Sequence, residues 1–443
     1  MEQIKISKGF TTPLAGMPDI GIVEFSHSPT LGLSAMDVPY IRPKLLVKEG
    51  DRVKTGAPLF FDKRDSSIQY VSPGTGVVEK IVYGERRRLH EVVIGLEGLD
   101  EFVEFEPFSL ADLGAVSRDD LVDRLKQGGL WQALRQFPEK DTADSSHTPA
   151  MIIVSLCGND IFSPDPGVVV EGDPAAFQFG LEVLKRFTDR VVVTVKAGSL
   201  DRLSRVKPLV THTVPDIYPA WNPGAVLYHI KKDSKENSSW CIAADHLIMA
   251  AKFLMTGRYP TKKIITVTRA REHRPHVLTR QGARLEKLMG DFNEGEIVTT
   301  GRFDGRMVQP ENHLGFFDNT LNIVATPDQD EMFGFLRPGK AKATASKAFL
   351  SCLFSDPKET DATLHGELRP CINCSYCEKI CPVDLMPSFI MKELLSDGIE
   401  DALACGLLDC CQCGLCSYVC PSKIELARIL ADGMDALYKD KQG

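Results

Sequence analysis

The chain has 443 residues, 43% hydrophobic and 25% charged, with a formal net charge of −8. This is the composition of a globular protein of about three domains. No apolar run reaches the ~18 residues of a membrane-spanning helix. No apolar core follows Lys5 and Lys8 to make a secretory signal, and no basic excess points to nucleic acid.

In chain order, residues 1–105 are rich in short strands. Gly50 to Leu59 reads as a turn into a strand, and Ser72 to Val78 as a glycine turn into another. Together they resemble the barrel-sandwich fold of lipoyl and biotinyl carrier domains. The hairpin that would present a carrier lysine reads Phe60-Phe61-Asp62-Lys63, with Lys63 off the pattern, so a structural module is expected.

Residues 117–136 are expected to form an amphipathic helix broken at Gly128-Gly129, with Leu121, Val122 and Leu125 inward. Met151 to Leu156 and Val191 to Val195 read as buried strands. Between them Pro174 to Phe187 reads as a helix capped by Asp173. Strand, helix, strand implies a parallel pair. A further helix is expected over 243–255, then short strands over 262–324. No G-x-G-x-x-G follows a strand; after Leu156 the chain reads Cys157-Gly158-Asn159-Asp160, so a dinucleotide site is not expected there. No G-x-S-x-G supports a hydrolase triad. His273 and His276, among Arg269, Arg271 and Arg274, could meet a phosphate or an acidic partner, but read as a solvated surface.

Of thirteen cysteines, eleven fall between Cys352 and Cys420. Two runs share one spacing, C-x2-C-x2-C-x3-C-P: Cys371, Cys374, Cys377, Cys381-Pro382 and Cys410, Cys413, Cys416, Cys420-Pro421. This is the bacterial two-cluster pattern, in which the fourth cysteine of each run ligates the other cluster. The expected ligand sets for two [4Fe–4S] clusters are therefore Cys371, Cys374, Cys377 and Cys420, and Cys410, Cys413, Cys416 and Cys381. Structural zinc needs four ligands per site and uses pairs with longer spacers. Cys157, Cys241, Cys352, Cys405 and Cys411 read as small buried apolar residues; Cys411, beside Cys410, is the best candidate for a swapped ligand. Pro387 is placed to start a helix carrying Phe389, Ile390, Leu394 and Leu395 and stopped by Gly398. Leu426, Leu430 and Leu437 share a later helical face.

The expected fold is α/β multidomain. It comprises an N-terminal barrel-sandwich (lipoyl-like) module over 1–105, an α/β domain over 106–260 and a small β-rich, β-grasp-like domain over 261–335. A linker over 336–348 leads to a helical two-cluster ferredoxin domain over 349–443.

Several stretches, in order, resemble the NqrA family, the A-type subunits of the sodium-translocating NADH:quinone reductase. They are Lys8-Gly9-Phe10 with Pro13-Leu14-Ala15-Gly16, Gly129 to Arg135, Phe253 to Gly257 and Glu331 to Phe335. The resemblance implies a peripheral subunit on the cytoplasmic face of the inner membrane, docked on membrane and flavoprotein subunits. The complex uses NAD and quinone and exports sodium. The resemblance assigns this chain no catalytic residue, and places the flavin and NADH sites of the complex mainly on other subunits. The cysteine block instead resembles the related C-type subunit of the Rnf complex, whose glycine-rich flavin/NADH segment is missing here. The function expected is an electron relay through two clusters within the complex. An Rnf-type NADH/ferredoxin subunit, marked by bound flavin, and a docking subunit with structural clusters are the alternatives.

Overall fold

The computed structural model describes residues 1–25, 28–270, 272–326, 339–340, 343–345, 349–361 and 366–442. Arg271, the stretch 331–335 and most of the expected linker lie outside them.

The centre of the fold is a seven-stranded sheet. Ile152–Ser155 is wholly buried because both faces of a parallel strand are covered. It pairs in parallel with Val191–Lys196, Ile152 opposite Val191, and on its other side with Trp240–Ala243. The intervening helix Pro174–Leu184 begins where the Asp173 carboxylate accepts the Ala176 N–H at 3.0 Å, with Pro174 in the first turn. Its buried face carries Phe177 and Leu181; full burial of such a side chain contributes about 1.5–3 kcal/mol. Gly180 lets it approach the helix Ala244–Thr256, since a Cβ there would lie 2.7 Å from Leu247 Cγ.

The expected helix over 117–136 is shorter. It runs Arg118–Gln127, capped by Ser117, and Gly129 then turns the chain with φ +71°. One 3-10 turn over Trp131–Ala133 and the strand Arg135–Gln136 follow. Tertiary burial overrides the helical pattern here. Trp131 is fully buried edge-to-face against Trp240 and Phe187, and its indole N–H donates to Ala143 O at 2.8 Å.

The N-terminal segment is shared between sheets. Glu2–Gln3 extends the central sheet beside His212–Thr213. Asp19–Glu24 is the edge of a six-stranded sheet, parallel to Pro275–Leu278. Only from Thr30 does the chain build the two small antiparallel sheets of the barrel-sandwich. Its hairpin tip is anchored rather than free: Arg64 donates to Asp62 at 2.9 Å, to Asp141 at 2.6 Å and to Tyr438 Oη at 2.9 Å. Lys126 Nζ pairs with Asp65 at 2.6 Å. The C-terminal helix Leu426–Gln442 is held on the same module by stacking of Tyr438 on Tyr40 and by Tyr40 Oη donating to Asp435 at 2.5 Å.

His276 corrects the solvated-surface reading. It is fully buried in the strand Pro275–Arg280, accepting the Asp165 N–H at Nε2 (2.9 Å) and donating from Nδ1 to Asp19 O (2.7 Å). His273 stays exposed, and Arg269 pairs with Glu296 at 3.0 Å. Among the described residues no helix is long and apolar enough to cross a membrane.

Candidate metal centres

In open α/β sheets the crevice at a topological switch point is the usual ligand site. Here it lies between the ends of Ile152–Ser155 and Trp240–Ala243, and the chain's own loop around Phe316 crosses it. Gly158, after the first strand, packs on Asn319 and Ser163. His246, after the second, stacks on Phe316 at 4.6 Å, and buried Lys263 donates to Phe316 O.

The cysteines gather elsewhere. Cys371, Cys374, Cys377 and Cys420 line one small hollow. Cys381, Cys410, Cys413 and Cys416 line a second, with Cys411 also on its wall. The two halves repeat in backbone as well as in spacing. Asn373, Ser375 and Asp384 have φ of 53°, 58° and 52°; the equivalent Gln412, Gly414 and Lys423 have 57°, 78° and 57°. A left-handed residue between close cysteines reverses the chain, so that successive side chains and N–H groups can face one concavity. Such nests bind anions and occur at many Fe–S sites. Short helices, Tyr376–Ile380 and Leu415–Tyr418, then carry each run to its fourth cysteine.

Helices close both hollows. Pro387–Leu395 begins with its proline at the first turn as expected, but its buried residues are Pro387, Ile390 and Met391; Phe389 and Leu395 are exposed. Gly398 caps the next helix, Ile399–Ala404. On the C-terminal helix Leu426, Leu430 and Met434 point inward. Of the five leftover cysteines, Cys157, Cys241 and Cys411 are buried, Cys405 is half-buried, and Cys352 is exposed, which corrects the reading of it as a core residue.

Burial pushes the Cys381 thiol up to about 11 and the Cys410 thiol up to about 12. At neutral pH these thiols are protonated, and a group that takes them as thiolates must displace protons. Among the described residues no three His, Cys, Asp or Glu side chains converge tightly enough to hold one metal ion.

The sequence pattern missed how firmly the second site is seated on the α/β body. Tyr218 Oη donates to Cys413 O at 3.0 Å, Lys140 Nζ to Cys411 O at 3.1 Å, and His229 Nε2 to Pro382 O at 2.7 Å. Lys8 pairs with Asp384 at 2.7 Å, and Lys231 with Asp409. No local signal marks these residues, because their partners lie more than 150 residues away in sequence. Tyr218→Phe is expected to cost about 1 kcal/mol, the worth of one buried hydrogen bond. It would lower the urea midpoint at unchanged iron content.

A protein-family model described as the NqrA N-terminal barrel-sandwich hybrid domain matches residues 4–97, and one described as the NqrA second alpha/beta domain matches 116–259. The A-type subunit of the Na+-translocating NADH-quinone reductase of Saccharophagus degradans is 31% identical over 99% of this chain and 100% of its own length. The protein of the same name from Serratia proteamaculans is 30% identical over 97% and 98%. An NAD+-reducing [NiFe]-hydrogenase overlaps with a TM-score of 0.37 at 11% identity, over 77% of this chain and 72% of its own, too slight a likeness to bear on function. Matched along its whole length by such relatives, the chain belongs to the NqrA family, the A-type subunits of the Na+-translocating NADH-quinone reductase.

Proposed function

We propose that this NqrA-family chain is a peripheral one-electron relay of its complex, binding one [4Fe–4S] cluster through Cys371, Cys374, Cys377 and Cys420. Cys410, Cys413, Cys416 and Cys381 bind the other. The observation that carries the reading is the pair of cysteine-lined hollows with the same left-handed backbone positions in each. The donor chemistry fits. Four thiolates on one zinc would lie within about 4 Å of each other, given Zn–S bonds of about 2.3 Å. A cubane spreads its four thiolates over four irons, so it suits side chains that ring a hollow. When bound, each cluster supplies a site that takes up and gives back one electron.

The chain's own residues make the two sites unequal. Each site has two half-buried and two buried cysteines, but the first opens outward at Ile372, which lies between Cys371 and Cys374 and is 67% exposed. The second is walled by the α/β body through Tyr218, Lys140 and His229. An outward and an inward site in one unit suit a relay between two partners. In this reading the partners are membrane and flavoprotein subunits on the cytoplasmic face, NADH and quinone react elsewhere in the complex, and the membrane subunits couple electron flow to sodium export.

Anaerobic purification of the whole complex tests it. About eight iron atoms are expected in this chain, with a [4Fe–4S]+ signal in low-temperature EPR after dithionite. Iron without a reducible signal would make the clusters structural; a chain free of iron would sink the reading.

A further inference from the structure

We propose that Lys140 is a positioning residue that raises the reduction potential of the cluster at the second site, an inference that rests on the two-cluster reading. Lys140 sits in the turn between Arg135–Gln136 and Asp141–Thr142, with φ +55°. Its carbonyl accepts Arg135 Nε–H at 2.6 Å, which fixes the turn. Its ammonium reaches across to the Cys411 carbonyl at 3.1 Å, inside the loop that carries Cys410 and Cys413. Asn222 Nδ2 faces the same carbonyl at 3.5 Å.

Two other cations beside the second site are paired with carboxylates: Lys8 with Asp384 and Lys231 with Asp409. Among the described residues no carboxylate is within ion-pair contact of Lys140, although the buried Asp304 carboxylate feels its charge. Its charge is therefore held without a contact anion and partly buried, where it acts more strongly than in water. One-electron reduction forms and breaks no bond here; it adds one negative charge to the hollow. A fixed cation on the loop stabilises that reduced state, and cluster potentials respond to net charge and hydrogen bonding in this sense. At the first loop Lys392 bonds the Asn373 side chain at 2.8 Å, but the pair is exposed and screened.

The test is a dithionite titration of the anaerobically purified complex, read by low-temperature EPR, with the two signals assigned through Cys374→Ala and Cys413→Ala. Lys140→Gln should move the second-site signal to lower potential and leave the first unmoved, and Lys140→Arg should restore the wild-type value. An unmoved second signal, or an equal shift of both, overturns the proposal and leaves the two-cluster reading standing. Absence of iron from the wild-type complex overturns both. Should Lys140→Gln lose second-site iron, Asn222→Asp is read instead. Its carboxylate can still accept the Gly224 N–H as a helix cap and would add a negative charge beside the Cys411 carbonyl that Lys140 bonds. An unchanged potential there overturns the proposal equally.

Discussion

Cys381→Ala is expected to empty the site of Cys410, Cys413 and Cys416 and to spare the site of Cys371, Cys374 and Cys377, although Cys381 belongs in sequence to the first run. The reason is where the chain goes after each tight loop. The helix Tyr376–Ile380 carries the backbone away from the first hollow, and Cys381 emerges against Val383, Leu385 and the second loop. Cys420 makes the reciprocal move after Leu415–Tyr418 and joins Cys371, Cys374 and Cys377. A cubane left with three thiolates is expected to be lost unless Cys411, on the wall of the same hollow, supplies the fourth, so the variant is read in a Cys411→Ala background, where about half of the about eight irons should go. Iron analysis and EPR of the purified complex read the result. The first-site signal should persist in Cys381→Ala and vanish in Cys420→Ala. Loss of the first signal in Cys381→Ala, with the second intact, would refute the crossover.

The features legible in the sequence are those whose physics is local. The strands Ile152–Ser155 and Val191–Lys196 announce themselves as apolar runs, the helix after Asp173 by its cap and proline, and the cysteine loops by spacing. Features set by distant partners were not legible. Glu2–Gln3 and Asp19–Glu24 carry no pattern that points to strands more than 200 residues away. His276 sits in a run of arginines that looks solvated, yet the alternation of its strand turns it inward onto Asp165 and Asp19. Trp131 gives a helix-like period to a segment that tertiary burial folds as a turn and a strand. The same limit holds at the candidate site. The eight cysteines can be read from spacing, whereas Tyr218, Lys140 and His229 reach them only through the tertiary fold.

Gly414→Ala should then disable the second site with every cysteine in place. Gly414 has φ +78°, and a Cβ there would lie 1.9 Å from Phe303 O and 3.1 Å from Phe303 Cβ. The left-handed conformation alone costs a non-glycine residue about 1–2 kcal/mol, and the clash adds to it because the atom met is backbone. Phe303 has little room to retreat: its ring packs on Phe10 at 5.1 Å, Tyr218 at 5.0 Å and Tyr418 at 4.9 Å. The loop must therefore lift from the body, which breaks the Tyr218 and Lys140 bonds to Cys413 O and Cys411 O. Ser375, the equivalent residue of the first loop, is left-handed at φ +58° with an ordinary side chain, so glycine is demanded at 414 by the approach of Phe303 and not by the loop itself. The expected outcome is loss of second-site iron and a lower urea midpoint in Gly414→Ala, beside full first-site iron in Ser375→Gly. Full iron and an unchanged midpoint in Gly414→Ala would show that the second loop does not rest on Phe303.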